Sequence, residues 1–346
     1  MASPAATECT ATGARVDPRR PDAGRRTLLL AAGCGGAVAL LVAATFVPRL
    51  PVAFEDPLYW ELWRLRALRV ALAAVVGGGL ALGGAVYQAL LRNALAEPYT
   101  LGVSSGAALG AAAGFLLGVS GTWLWLPKLS LLALAGALTA LATIFTLARA
   151  RAAHDVARLL LAGVCVSYVA SAGILLAAFL LRRPVTNDLL VWMVGSLGVY
   201  RASACVEIAV VLGVVGLLAI RSHRELDLLS LGESLAATRG VAVGRIVWVG
   251  FAAVGVLTAV IVANCGPIGF VGLIVPHIVR GIVGVRTLPV LVGSLITGAV
   301  FLAACDALAR SVAANFDTPV GIFTNIIGAG VFCWLLLTRA GSPARA

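Results

Sequence analysis

Runs of about twenty apolar residues recur along nearly the whole chain, and no other feature limits its possible folds so tightly. A helix needs about 20 such residues to cross a hydrocarbon core about 30 Å thick. Ten candidate spans are read at 27–47, 69–91, 101–118, 128–148, 158–181, 203–220, 246–265, 268–284, 288–309 and 320–338. Those at 101–118, 203–220 and 268–284 are short and are candidates for broken or partial crossings. Charged residues are 12% of the 346 positions and apolar ones 61%, against about 25% charged in an ordinary soluble chain. That balance excludes a soluble globular enzyme and a disordered chain. Glycines cluster inside the runs, as at Gly77-Gly78-Gly79 and Gly83-Gly84. Small residues let helices approach closely in lipid, where packing drives association. The expected fold is all-α: a polytopic membrane protein of about ten transmembrane helices.

The formal charge is +11, and Lys128 is the only lysine, so arginine carries nearly all of it. In so apolar a chain this is loop charge, and no nucleic-acid partner is implied. With the N-terminus inside, seventeen of the 26 Lys and Arg residues fall in one set of loops and nine in the other. The positive-inside rule therefore puts both termini in the cytoplasm. Residues 1–26 are polar and contain Pro and Arg, as expected of a cytoplasmic tail without packed structure. Residues 27–338 form the membrane domain, and 339–346 a second short tail. Arg25-Arg26 resembles a twin-Arg export signal, and Ala31-Ala32-Gly33-Cys34 a lipoprotein cleavage site. The apolar run that follows Arg26 exceeds the 7–15 residues typical of a signal, so an uncleaved first span is expected.

Chemistry within the spans is sparse. Asp306, His277 and Glu207 are the carboxylates and histidine within the spans; each is costly in lipid and is a functional candidate. Three scattered groups make a poor proton relay, and His154 and His223 lie in loops without partners at ligand spacing. Seven cysteines are scattered without a C-x-x-C pair, so no metal site is read. A G-x-x-x-x-G-K-[ST] phosphate loop is excluded because the one lysine follows Pro127. A pump built on this chain must draw energy from a partner or an ion gradient.

The loop from Arg221 to Gly240 departs from a solvated link, with Leu226, Leu228, Leu229, Leu231 and Leu235 among its polar residues. Ser230 followed by Glu233 reads as a capping box, and Gly240 after Arg239 as a helix stop. A short amphipathic helix is expected there. Its apolar stripe either packs on the chain's own spans or docks on a cytoplasmic partner.

Several segments occur in an order that resembles the FecCD-type ABC importer permeases. They are Arg66-Ala-Leu-Arg69, Gly84-Ala-Val-Tyr-Gln88, and Arg92-Asn-Ala-Leu-Ala-Glu-Pro-Tyr-Thr-Leu-Gly-Val-Ser-Ser-Gly106. Leu159-Leu-Leu-Ala-Gly163, Trp192-Met-Val-Gly-Ser196 and Leu229-Ser-Leu-Gly-Glu233 follow, then the run from Gly266 to Arg280, Asp306-Ala-Leu-Ala-Arg310 and Pro319-Val-Gly321. The resemblance implies a ten-span permease in the bacterial plasma membrane. It implies a second permease subunit (the same chain or a paralogue), two cytoplasmic ATPases and an extracytoplasmic substrate-binding protein. ATP and Mg would be bound by the ATPases, with no cofactor in this chain and no enzymatic activity of its own. The family's cargoes are iron–siderophore complexes, haem or vitamin B12, with iron–siderophore the commonest. Ion-gradient-driven secondary transport and a membrane enzyme are the readings from other classes.

By the same resemblance, Leu231, Gly232, Glu233, Ala237, Arg239 and Gly240 match the ATPase-coupling helix. Arg66, Arg69 and Arg310 match outer-face positions that meet acidic residues of the binding protein. Asn93 and Leu95 match the inner gate. Gly266, Pro267, Gly269 and Pro276 are read as structural, a tight outer turn followed by a kink. Two positions depart from the family pattern: Leu68 and Ala94 stand where proline is usual. Glu97-Pro98 reads as a turn at the membrane surface with Glu97 solvated, and Asp306 and Arg310, at i and i+4, as a mutual pair.

Overall fold

The computed structural model describes residues 36, 39–45, 57–123, 126–149, 156–181, 183–198, 201–312 and 318–339. The N-terminal tail, Arg25-Arg26, most of the first candidate span and the last residues of the C-terminal tail lie outside them; residues 39–45 are helical. The rest of the bundle is α1 (Pro57–Leu90), α2 (Val103–Leu116), α3 (Lys128–Arg149), α4 (Val156–Leu180), α5 (Arg183–Val194) and α6 (Ala202–Arg221). Then come α7 (His223–Ser230), α8 (Glu233–Thr238), α9 (Val243–Cys265), α10 (Val271–Val283), α11 (Thr287–Val312) and α12 (Val320–Arg339). A two-residue hairpin, β1 (Thr122–Trp123) with β2 (Leu126–Pro127), is the described β-structure.

Among the described residues, six helices are long and apolar enough to cross a bilayer: α1, α3, α4, α6, α9 and α11. Helices α2, α5, α10 and α12 are shorter apolar segments. The 203–220 candidate, read as short, is a full helix of 20 residues. Helix α5 was not expected; Pro184 sits in its first turn, where no N–H partner is lost, and Leu189 is fully buried.

Helix α1 begins twelve residues before the expected span. At 34 residues it is about 51 Å long, well beyond a hydrocarbon core. Tyr59, Trp60 and Trp63 pack edge to face along its start, with centroids 5.7 and 6.2 Å apart, in the manner of an interfacial aromatic belt. With Leu68 in place of proline, the helix runs unbroken through Arg66 to Arg69.

Helix α1 packs chiefly on α11, and α2 on α3. Both seams are glycine-lined. A Cβ on Gly77 would lie 2.2 Å from the Gly298 carbonyl oxygen, and one on Gly110 2.2 Å from that of Leu132. The core side of the bundle holds Tyr87 stacked on Phe251 at 5.1 Å. The Tyr87 hydroxyl donates to the Phe251 carbonyl at 2.9 Å, which satisfies a polar group that burial would otherwise leave costly.

Candidate coupling, gate and docking surfaces

At one end of the bundle, α7 and α8 replace the single helix expected between Ser230 and Gly240. The capping box does not form. Ser230 Oγ donates back to the Asp227 carbonyl at 2.7 Å, and the chain turns at Gly232, at φ 134°, before α8 begins. That φ suits a residue without Cβ. The leucines divide. Leu226 and Leu229, three apart on α7, are buried against the spans, whereas Leu231 is 70% and Leu235 42% exposed. Packing on the chain's own spans and presentation outward are thus carried by different residues. Ala237, Arg239 and Gly240 are also exposed.

Two polar ties join this end to the spans. The Thr287 N–H at the start of α11 donates to Asp227 Oδ1 at 2.7 Å. Arg92, just past α1, donates to Glu233 Oε1 at 2.6 Å. The second pair is open to solvent, with side chains 41% and 36% exposed, so it contributes geometry more than stability.

The turn after α1 is closed by Asn93, whose Oδ1 accepts the Leu95 N–H at 2.9 Å. The Ala96 N–H adds a bond to the Asn93 carbonyl at 3.1 Å. An Asx turn therefore does what the missing proline at Ala94 would do. Leu95 stands exposed at its tip. Glu97 is not solvated. It is 5% exposed and accepts the backbone N–H groups of Phe270 and Gly272, at the N-terminus of α10. Burial pushes its carboxyl up to about 7, against the lowering effect of those two bonds.

Pro276 lies inside α10 without ending it. Its missing N–H frees the carbonyl of Gly272, four residues earlier. That oxygen accepts Gln88 Nε2 at 3.3 Å, and the Leu273 carbonyl does so at 3.2 Å. Gln88 Oε1 in turn accepts from Arg280. Gly266, Pro267 and Gly269 lie in the turn between α9 and α10, and that turn is inside the protein: residues 261–269 are buried. The Ser196 N–H donates to the Cys265 carbonyl at 2.8 Å, and the Gly321 N–H to the Gly195 carbonyl at 3.2 Å. Three separately noted motifs, at Trp192–Ser196, Gly266–Phe270 and Pro319–Gly321, thus meet in one backbone junction.

At the opposite end, the Asp306–Arg310 pair forms, with Arg310 Nε donating to Oδ2 at 2.9 Å. A second arginine joins it from α1: Arg69 Nε donates to Asp306 Oδ1 at 2.8 Å. The expectation of an exposed Arg69 is corrected, since it is 4% exposed and Asp306 is fully buried. An aspartate in a low-dielectric site needs such partners. Arg310 also donates to the Ala44 carbonyl at 3.1 Å, and Arg66 stands half-buried one turn away. Nearby, the Asn264 amide bridges two charged groups, accepting from Arg201 at 2.9 Å and donating to Glu207 at 3.5 Å.

The sequence places Gln88 and Glu97 within motifs but gives neither a partner. Pro276 was the usable signal for Gln88, because a freed carbonyl in lipid demands a donor. Nothing in the local sequence points Glu97 at α10.

The described residues form a bundle of membrane-length helices ending in a short helical module with outward leucines. The sequence matches the FecCD transport family over residues 36–338, and the chain belongs to that family. It is 40% identical over 282 residues to the Fe(3+) dicitrate transport system permease protein FecD of Escherichia coli (strain K12), covering 81% of this chain and 86% of that one. It is 38% identical over 282 residues to the vitamin B12 import system permease protein BtuC of Salmonella typhi, covering 81% and 84%. Among solved structures, it resembles an inward-facing metal-chelate type ABC transporter at TM-score 0.78 and 27% identity, covering 89% of this chain and 99% of that one.

Proposed function

We propose that this chain is the translocation subunit of a binding-protein-dependent, ATP-driven importer whose cargo is a ferric siderophore complex. The observation that carries this reading is the α7–α8 module, a rigid pair of short helices tied to α1 and α11 with Leu231 and Leu235 facing out. In this reading the chain makes ten crossings of the bacterial plasma membrane with both ends in the cytoplasm, beside a second permease subunit. Leu231, Gly232, Glu233, Ala237, Arg239 and Gly240 seat in a separate ATPase. Its closure pulls on α11 through Asp227 and on α1 through Glu233. The permease contributes no energy, so the displacement draws on differential ATP binding to two states.

Arg66 and, at the rim, Arg310 meet carboxylates of the substrate-binding protein, whereas Arg69, buried on Asp306, fixes Arg310 through that shared carboxylate. Guanidinium groups suit that pairing. Asn93 and Leu95 border the inner gate. The FecD relative supports an iron complex; the BtuC relative supports cobalamin as the second reading.

The test is uptake in a strain lacking this gene but retaining its ATPase and binding protein. Radiolabelled ferric siderophore should enter only when the chain is restored. Cobalamin or haem uptake in its place would replace the substrate. Accumulation by the chain alone in liposomes under an ion gradient would replace the mechanism.

A further inference from the structure

Beside the α7–α8 module, the bundle opens into a cleft of about 550 Å³ between α6 and α9. Its walls are Val215 and Leu218 on α6 with Val249 and Ala253 on α9. Its mouth carries Arg224, Arg239 and Arg245, with Glu225 the one carboxylate among its lining residues. No ion-pair partner of these three arginines is found among the described residues, and each is exposed. From Arg245 to Val254, at the far end of the lining, is nine residues of helix, or about 13 Å. That matches one leaflet of a core about 30 Å thick. The neighbouring face of α6 is uncovered, with Val210, Val214 and Leu217 each more than half exposed.

We propose that this cleft binds an anionic phospholipid. Its phosphate sits on Arg224 and Arg245, and one acyl chain lies between α6 and α9. Three guanidinium groups against one carboxylate make the mouth cationic, and arginine forks match phosphate oxygens bidentately. Basic pockets between helices at the cytoplasmic face suit anionic headgroups. The apolar walls continue to membrane depth, where an acyl chain reaches and a cytoplasmic ATPase does not. A second copy of this chain, itself at +11, offers the wrong charge to the mouth. A lipid wedged here would brace the module against the spans. The inference requires only a bilayer-embedded chain, so it can fail while the importer reading stands, and the reverse.

The test is native mass spectrometry of the full, delipidated chain titrated with phosphatidylglycerol, phosphatidylcholine or inorganic phosphate. One phosphatidylglycerol should be retained about ten-fold more tightly than phosphatidylcholine, and millimolar phosphate should not displace it. Arg224→Ala with Arg245→Ala should weaken phosphatidylglycerol roughly ten-fold, to near parity with phosphatidylcholine, and leave phosphatidylcholine nearly unchanged. Arg224→Lys with Arg245→Lys should retain part of the preference. Val249→Trp, at a half-exposed wall position that tolerates bulk, should reduce retention of both lipids with the arginines intact. Equal retention of the two lipids, an unaltered preference in the alanine pair, or unchanged retention in V249W overturns the proposal. Displacement by free phosphate reduces the site to an anion site without a lipid, and an alanine pair that keeps lipid but loses ATPase binding reassigns the arginines.

Discussion

Replacing Asp306 with asparagine isolates the most heavily buried charge among the described residues. Asp306 is fully buried, and its two partners are buried as well, with side-chain exposures of 5% for Arg69 and 12% for Arg310. The native triad carries a net charge of +1. Asp306→Asn raises it to +2 and leaves Arg69 without its carboxylate inside the bundle. Removing one partner of a buried pair costs about 3–5 kcal/mol, because the remaining charge is uncompensated. For a chain this long, that corresponds to a drop on the order of 4–7 °C in the apparent Tm. The assay is the monodisperse fraction of detergent-solubilised protein after heating, followed by size-exclusion chromatography. Asp306→Asn with Arg69→Met restores +1 and should recover more than half of the loss, a coupling readable as a double-mutant cycle. Arg310→Ala should cost less than Asp306→Asn, since the Arg69–Asp306 bond survives. If Asp306→Asn melts within about 1 °C of the parent, the claim that this site is a stabilising buried triad is refuted.

Three further outcomes follow from the geometry. Gly232→Trp with Glu233→Arg places a bulky residue at φ 134° and breaks the bond to Arg92; uptake should be lost while membrane insertion, measured by fractionation, is retained. Gln88→Leu orphans the Gly272 carbonyl that Pro276 leaves open and should cost roughly 1–3 kcal/mol, read as a lower apparent Tm; an unchanged value would show that another donor takes over. Glu97 holds its proton up to about pH 7 when folded, against 4.5 ordinarily. The native state therefore binds more protons than the unfolded chain between those values, and stability falls as pH rises through them by about 3 kcal/mol in all. Glu97→Gln should flatten the difference in apparent Tm between pH 5 and pH 7.5, and a slope equal to the parent's would reject the assignment.

The helices were readable in the sequence because lipid sets a single length and polarity for every crossing. Helix ends were less so. Helix α1 starts at Pro57 rather than residue 69, because Trp60, Trp63 and Leu65 serve a helix at the interface while their polar neighbours lower local hydropathy. The Asp306–Arg310 pair was legible from i,i+4 spacing, whereas Arg69 comes from 237 residues away. The coupling loop was legible in composition but not in shape: Ser230 and Glu233 satisfy a capping pattern, yet Asp227 and Gly232 offer that stretch a better local geometry. The turn at Gly266 is legible from residue type, but its burial is not. Only the meeting with Gly195 and Gly321 shows that its polar backbone is satisfied inside the protein.

The contact between Gly77 and Gly298 has a mechanical corollary. Each would place a Cβ within 2.4 Å of the other's carbonyl oxygen, so main chain lies directly on main chain with no compliant layer between. Such a joint resists both sliding and parting, and α1 with α11 must travel as a single strut. Any passage through this molecule has to open along another seam.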